Sequence, residues 1–184
     1  GQGDPALADL AAWLDAQGEP DAARLARHWG AAAPASREEV LPGPVGERNL
    51  YALHPRGTIL LHPASRDGLF HQLAAALATG NDAVVEADPA LLALLPDLPP
   101  RVRQRIRPHA DDLAGALVEG DAGAVHALLH AMAGRPGPIV SVQAAAPGQR
   151  QNPDAYCADW LLEEVSTSIN TAAAGGNASL MTLP

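Results

Sequence analysis

The sequence predicts an α/β domain with a Rossmann-like parallel sheet, flanking helices, an N-terminal helical lead-in and a β-hairpin flap. Three observations predict this class. Short apolar runs alternate with helical patterns over residues 58–144, at the spacing of βαβ units. Two amphipathic helical patterns come first, and the turn-rich residues 41–57 lie between the two regions. We therefore divide the chain into a helical lead-in, residues 1–37, and an α/β domain, residues 38–184.

The lead-in is predicted to be two helices and a linker. Apolar side chains recur at i, i+3, i+4 and i+7 over residues 5–17, and Gly18 ends that pattern. Pro20 begins a second helix that reaches Trp29. Residues 30–37 are rich in alanine and include a proline, so we expect a linker there.

The α/β domain is predicted from apolar runs and the helices between them. The runs are short and lack a polar face, which is typical of strands buried on both faces of a parallel sheet. Predicted strands cover residues 58–62, 83–87, 105–108, 114–119 and 139–144. Predicted helices cover residues 66–79, 90–95, 122–133 and 153–162.

The C-terminal residues 165–184 carry no charged side chain. Residues 165–171 alternate in the period of a strand, and the small residues at 172–176 permit close approach of two backbones. A free tail would normally carry several charges. We therefore expect a docking motif over residues 165–184 that fits a groove of this domain or of a partner.

Composition and charge exclude several classes of function. The net charge is −9 with histidine neutral, and so acidic a surface disfavours nucleic acid and anionic membranes as partners. No stretch approaches the ~18 consecutive apolar residues of a membrane-spanning helix. The single cysteine, Cys157, excludes an internal disulfide. These features predict a cytoplasmic protein without membrane insertion.

A dinucleotide site is the first chemistry to consider in a βαβ chain. The fingerprint G-x-G-x-x-G is absent. The nearest match, Gly120-Asp121-Ala122-Gly123, lacks the required glycine spacing, and the Asp121 carboxylate would repel a pyrophosphate. Asp121 is instead predicted to cap the helix that follows it. We therefore expect no cofactor-binding residues in this chain.

Other candidate groups give no catalytic or metal site. His126 and His130 are spaced i, i+4 on one helix, but zinc needs a third ligand, so we expect a half-exposed helix face. Cys157 is predicted on a helix without an activating neighbour, as a packed or idle thiol. Glu163 and Glu164 are adjacent, so in a strand they point to opposite sides. The sequence predicts neither catalytic nor metal-binding residues.

Residues 57–92 resemble the start of the nucleotide-binding domain of aldehyde dehydrogenases. In that family a strand leads to a helix that ends in Ala-x-Gly-Asn, and a second strand follows at once. Gly80-Asn81 and Val84-Val85 stand at the matching places. The resemblance implies an aldehyde-dehydrogenase-like α/β core over residues 38–184.

A more specific resemblance covers residues 41–57 (LPGPVGERNLYALHPRG) and 168–181 (SINTAAAGGNASLM). Both are similar to the C-terminal domain of long proline utilization A proteins. Those proteins join an FAD-dependent proline dehydrogenase to an NAD-dependent glutamate-semialdehyde dehydrogenase. The resemblance implies a non-catalytic domain of such a bifunctional enzyme.

The departures from aldehyde dehydrogenases concern cofactor binding and catalysis. Residues 86–89 read EADP where that family carries Lys-Pro-Ser-Glu, and residues 62–65 read HPAS in place of Trp-Asn-Phe-Pro. The segment with the catalytic cysteine and glutamate is missing. The resemblance therefore implies a cofactor-free domain in a parent protein that uses FAD and NAD.

In the resembled family this domain is a lid over the semialdehyde channel and an assembly element. Its implied partners are the proline and semialdehyde dehydrogenase modules of the same polypeptide, with a homo-oligomer as another possibility. Two alternatives stay open: an NAD-binding domain that contributes to the dehydrogenase reaction, and a dimerisation module. The expected interface residues are Arg48, Tyr51, Thr167, Ile169, Asn170, Thr171, Gly175, Gly176, Asn177, Leu180 and Met181.

Overall fold

The structure, a computed structural model, describes residues 4–32, 38–43 and 47–170. Within these residues the chain forms six α-helices and eight β-strands. The helices are α1 (Pro5–Ala16), α2 (Pro20–Ala32), α3 (Arg66–Ala78), α4 (Pro89–Leu92), α5 (Pro100–Gln104) and α6 (Ala122–Ala133). The strands are β1 (Glu38–Leu41), β2 (Glu47–Pro55), β3 (Thr58–His62), β4 (Asp82–Val85), β5 (Ile106–Arg107), β6 (Gly115–Glu119), β7 (Val142–Ala145) and β8 (Leu162–Asn170). In the described ranges, no helix is long and apolar enough to cross a bilayer.

Five strands form a parallel sheet in the order β5-β4-β3-β6-β7. The chain builds outward from β3 to β5, then returns to the other side of β3 for β6 and β7, which is the strand order of Rossmann-like folds. Ile59 and Leu61 face one layer of helices and Leu60 faces the other, since successive side chains of a strand point to opposite faces. The predicted α/β class is confirmed.

Helix α3 is buried on all sides. Every residue from Gly68 to Ala78 is buried, because one side of α3 packs on the parallel sheet and the other packs on α1 and α2. The ring of Trp13 in α1 meets the ring of Phe70 edge-on, with 5.7 Å between the centroids. A helix that is enclosed in this way carries small and apolar residues around its whole circumference. The two N-terminal helices therefore share one core with α3 and the sheet.

The flap is a three-stranded antiparallel sheet in the order β1-β2-β8. Strand β2 pairs with β1 in the predicted hairpin. It pairs with β8 along nine positions, from Glu47 opposite Asn170 to Pro55 opposite Leu162. The predicted strand periodicity after residue 165 is therefore real, and the strand begins three residues earlier than expected. The C-terminal part of the described chain thus adds the third strand to the hairpin.

Two predicted boundaries are wrong. Helix α2 continues to Ala32, so residues 30–32 are helical and not linker, which agrees with the high helix propensity of alanine. The last parallel strand begins at Val142, three residues later than predicted. Ile139 is fully exposed, because the chain there is still leaving a turn at Gly137, whose φ is 109°.

The predicted helix over residues 153–162 is also wrong. Two short 3₁₀ turns, Pro153–Ala155 and Ala158–Leu161, take its place. The backbone of Cys157 donates to Gln143 Oε1 at 2.6 Å, and its carbonyl accepts from Gln143 Nε2 at 3.1 Å. A tertiary partner on β7 therefore takes the backbone groups that a continuous helix would use.

Asn81 joins three parts of the fold just after α3. The preceding Gly80 has a φ of 73°, which fits its predicted role at the end of the helix. The buried Asn81 side chain accepts from the Gly57 N–H and donates to Thr79 Oγ1 and the Leu161 carbonyl, each at 2.8 Å. Asn81 therefore links the start of β3 and the start of β8 to the end of α3.

We predict that Asn81→Ala lowers the free energy of unfolding by about 2–4 kcal/mol, because it leaves buried partners such as the Gly57 N–H without a hydrogen bond. Urea unfolding followed by circular dichroism measures the change. Asn49→Ala on the flap, where the asparagine is half-buried, is the control and should change stability by less than about 1 kcal/mol. Equal losses in both variants would contradict the linking role.

His71 is a buried histidine whose ring has one hydrogen bond. Its Nδ1 lies 3.0 Å from the Arg150 carbonyl, and since a carbonyl only accepts, Nδ1 carries the proton. Its Nε2 is buried without a partner within the described residues. Burial lowers the pKa of His71 from 6.5 to about 4. The fold therefore favours the neutral ring.

The stability of the domain should fall as the pH is lowered from about 6.5 to about 4. In that window the unfolded chain binds a proton at His71 that the folded chain does not bind. The shift of the His71 pKa to about 4 corresponds to a loss of about 3 kcal/mol in the free energy of unfolding across this window. Urea titrations across this range measure it, with His71→Asn as control because asparagine keeps a donor toward Arg150 and does not titrate. If both proteins lost stability equally over this pH range, His71 would not be the group responsible.

Candidate functional site

The first candidate site is the crevice at the carboxyl ends of β3 and β6. Open parallel sheets bind ligands where the strand order reverses, which here lies between these two strands. Helix α3 starts four residues after β3, and Ser65 caps it: its hydroxyl oxygen accepts from the Gly68 N–H at 3.0 Å. The last residue of β6 is Glu119. The side chain of Glu119 decides what this crevice can hold.

Glu119 lies against the N-terminus of α3 and is 2% exposed. Its carboxylate accepts from the Ala64 N–H at 2.9 Å and from the Ser65 hydroxyl at 2.8 and 2.9 Å, using both oxygens. A Cβ on Gly68 would lie 1.8 Å from Glu119 Oε2. The first turn of α3 therefore has room for this carboxylate only because residue 68 is glycine.

Further carboxylates follow the strands of this sheet at the same edge. Asp88 caps α4 by accepting from the Ala90 N–H, and the exposed Glu86 lies just before it. The Asp121 side chain accepts from the Ala124 N–H at 2.9 Å, which confirms its predicted role as the cap of α6. This edge of the sheet therefore has an acidic character.

The other candidate residues are not gathered into a site. His126 and His130 are both exposed on α6, although a half-exposed face was expected. In the part of the chain that the structure describes, no three His, Cys, Asp or Glu side chains are placed to hold a metal. Cys157 is exposed at the start of a 3₁₀ turn, so the helix predicted there is wrong; of the two predicted states of its thiol, packed or idle, the packed one is excluded.

The second candidate site is the flap, whose two faces differ. Directly opposed residues of paired strands share a face, so the register places Val40 with Leu50, and Ala52 with Val165, on one side. Ile169 belongs to the same side. We call these five residues the apolar face; Arg48, Thr167, His54 and Glu163 lie on the same side. Val40, Val165 and Ile169 are 58%, 37% and 43% exposed, so the face is open to solvent.

The opposite face of the flap is mainly polar. It presents Asn49, Tyr51, Ser166 and Ser168. A hydrogen bond to Glu164 raises the pKa of Tyr51. Leu41 and Leu53 also lie on this side. The centre of the flap is therefore more apolar on the side of Val165 and Ile169 than on the side of Ser166 and Ser168.

The structure divides the predicted interface residues into three groups. Arg48 lies opposite Ile169, and Thr167 lies between Val165 and Ile169 opposite Leu50, so all three predicted residues are on the side of the apolar face. Tyr51 and Asn170 lie on the polar face. Thr171, Gly175, Gly176, Asn177, Leu180 and Met181 lie outside the described residues. The sequence placed Leu50 in the flap and Val165 in the docking motif, but neither these two nor Val40 were among the named interface residues. Their common face depends on a register that strand periodicity alone does not define.

None of the known protein-family models matches the chain. Among curated proteins, the bifunctional protein PutA of Rhizobium meliloti is 54% identical over 186 aligned positions, which span 98% of this chain and 15% of that protein. The bifunctional protein PutA of Escherichia coli strain K12 is 37% identical over 174 positions, or 91% of this chain and 13% of that protein. The chain thus spans about one seventh of the length of these relatives.

Solved structures show the same kind of fold. A proline utilization A (PutA) structure with proline bound in remote sites has a TM-score of 0.60 at 19% identity, over 77% of this chain and 19% of that one. An indole-3-acetaldehyde dehydrogenase in its apo form has a TM-score of 0.57 at 17% identity, over 79% and 44%. PnpE in complex with nicotinamide adenine dinucleotide has a TM-score of 0.53 at 17% identity, over 68% and 30%.

The alignments with the PutA relatives extend over nearly the whole of this chain. The structural neighbours have the same fold. The resemblance noted in the sequence is therefore confirmed. The chain is a PutA-related domain with an aldehyde-dehydrogenase-like fold.

Proposed function

We propose that this chain is a non-catalytic domain of a bifunctional enzyme that oxidises proline to glutamate. In that enzyme it covers the passage of the semialdehyde intermediate and supports assembly. The parent would use FAD for the first oxidation and NAD for the second, while this domain holds neither. The bifunctional PutA relatives supply the first part of the proposal, and the exposed apolar face of the flap supports the second.

The apolar face is the observation that carries the covering role. A sheet normally buries one face against another layer, yet Val40, Val165 and Ile169 are open to solvent within the described residues. Contiguous exposed apolar surface commonly marks a protein interface. The chain covers only 15% of the Rhizobium meliloti relative, so a large partner surface in the same polypeptide is available. We infer that the apolar face packs on the semialdehyde dehydrogenase module.

The charge-free residues 165–184 extend this inference. They begin within β8 and include Val165, Thr167 and Ile169 on the side of the apolar face. An apolar cover excludes water from the passage beneath it and keeps a small polar intermediate from leaving to bulk solvent. We therefore retain residues 165–184 as the docking motif, in which the side chains on the side of Ile169 make the contact and those on the opposite side, such as Ser168, face water. Residues 1–37 are retained as helices that complete the core of residues 38–184.

We predict that Ile169→Glu in the full-length bifunctional enzyme uncouples its two activities. A carboxylate on the apolar face would have to be desolvated on docking, which opposes the contact. Proline-dependent NADH formation should then begin after a lag, and a trap for free semialdehyde should capture more product. Proline oxidation measured with an artificial electron acceptor should be unchanged, because that chemistry lies in another module.

Ser168→Glu is the matched control, because residue 168 is adjacent in β8 and belongs to the polar face. It adds the same charge to the same strand and should leave the coupled kinetics unchanged. A lag in both variants, or in neither, would overturn the covering role. Intact coupling together with dissociation of Ile169→Glu into smaller species would favour the dimerisation module instead.

The alternative function is an NAD-binding domain that contributes to the semialdehyde dehydrogenase reaction. The Rossmann-like strand order favours it, as does the likeness to PnpE in complex with nicotinamide adenine dinucleotide. Against it stand the exposed Glu86 and the buried Glu119 at the edge where a dinucleotide would bind, because two carboxylates repel a pyrophosphate.

Calorimetric titration of the chain with NAD distinguishes the two functions. We predict no heat of binding and no rise in melting temperature at millimolar NAD. A saturable heat, with a melting temperature that rises with NAD concentration, would favour the alternative. The full-length enzyme is a positive control in the same titration.

A further inference from the structure

We propose that Glu119 is a built-in anion: its carboxylate occupies the position at the N-terminus of α3 that a phosphate group would otherwise take. The domain would then close its own switch point to nucleotides without any partner or ligand. This inference concerns the crevice between β3 and β6 and is independent of what docks on the flap.

Helix α3 has the position and length of an anion site, and its first turn carries Asp67 with the Gly68 N–H bound by Ser65. It has 13 residues and starts directly after the first strand of the parallel sheet. The free N–H groups and the positive end of the helix dipole attract anions. In Rossmann-like folds this end of the first crossover helix receives a pyrophosphate. The attraction is a property of the backbone, so it persists even though the glycine fingerprint is absent.

Glu119 makes the contacts that a bound anion would make. Both of its oxygens are hydrogen-bonded, to the Ala64 N–H and to the Ser65 hydroxyl. The residue is 2% exposed, and no ion pair within the described residues involves it. A buried carboxylate without a cation requires compensation from oriented dipoles. The Ala64 N–H, the Ser65 hydroxyl and the positive end of the α3 dipole provide that compensation.

Gly68 is an independent sign that the first turn accommodates this carboxylate. The Cβ of any other residue there would lie 1.8 Å from Oε2 and 2.6 Å from the carboxyl carbon of Glu119. A phosphate that accepted from the Ala64 N–H and the Ser65 hydroxyl would need the donors that the Glu119 carboxylate already uses. Occupation by Glu119 and binding of a phosphate are therefore mutually exclusive.

The test removes the carboxylate and asks whether inorganic phosphate takes its place. We expect Glu119→Ala to bind phosphate with a dissociation constant at least about tenfold lower than that of the original chain. Melting curves in phosphate and in chloride of equal ionic strength measure binding. Amide chemical shifts of Ala64 and Gly68 locate it. The original chain should show neither a stabilisation nor shifts at these amides.

Glu86→Ala is the control, since it removes one exposed carboxylate from the same edge of the sheet without vacating the end of α3. It should bind phosphate no better than the original chain. If Glu119→Ala does not fold, Glu119→Ser provides the test, because it removes the carboxylate from the end of α3 and keeps a small polar side chain. Phosphate should then shift the same amides. Phosphate binding at these amides in the original chain, or none in any folded Glu119 variant, would overturn the proposal.

Discussion

The complete burial of α3 is the constraint on which the rest of this structure depends. A helix whose residues from Gly68 to Ala78 are all buried needs a layer on every side. The parallel sheet covers one side, and α1 and α2 cover the other. Polar side chains inside this environment need internal partners: Gln72 donates to the Tyr156 hydroxyl at 2.9 Å, and that hydroxyl donates to the Val118 carbonyl at 3.1 Å. One helix thus fixes the positions of the N-terminal helices, the sheet and the 3₁₀ segment before β8.

Each end of α3 serves a different part of the molecule. Its N-terminus lies at the switch point of the sheet and is capped by Ser65, whose hydroxyl donates to Glu119. Its C-terminal end leads to Asn81, which holds the start of β8, and Arg56 Nε donates to the Leu162 carbonyl at 2.8 Å beside it. The base of the flap is therefore tied to the core, while its apolar face remains exposed. A flap that is anchored at its base can present an ordered face to a partner and lose little conformational entropy on binding.

The sequence predicted the features that depend on local pattern. The strands around Leu60 and Leu117, the Ser65–Ala78 region and the cap at Asp121 follow from periodicity and from capping preferences. What it missed depends on contacts between distant residues. The 3₁₀ turns near Cys157 replace a helix because Gln143 binds the backbone there. In the sequence, Glu119 is only the last residue of an apolar strand. The fold brings it next to a helix that begins 53 residues earlier, at Arg66. The two faces of the flap required the register between β2 and β8.

The crevice between β3 and β6 and the flap differ in whether their groups already have partners within the chain. In the crevice between β3 and β6 the Glu119 carboxylate is already bound, since it accepts from the Ala64 N–H and the Ser65 hydroxyl. The flap is internally incomplete, since its apolar face has no covering layer among the described residues. A group that is already satisfied gains little from a ligand, whereas exposed apolar surface gains free energy when it is covered, at about 25 cal/mol per Å². The physical drive for association therefore lies at the flap. On this reasoning a Rossmann-like core can act as the support for a docking surface, because a fold does not by itself determine which of its surfaces functions.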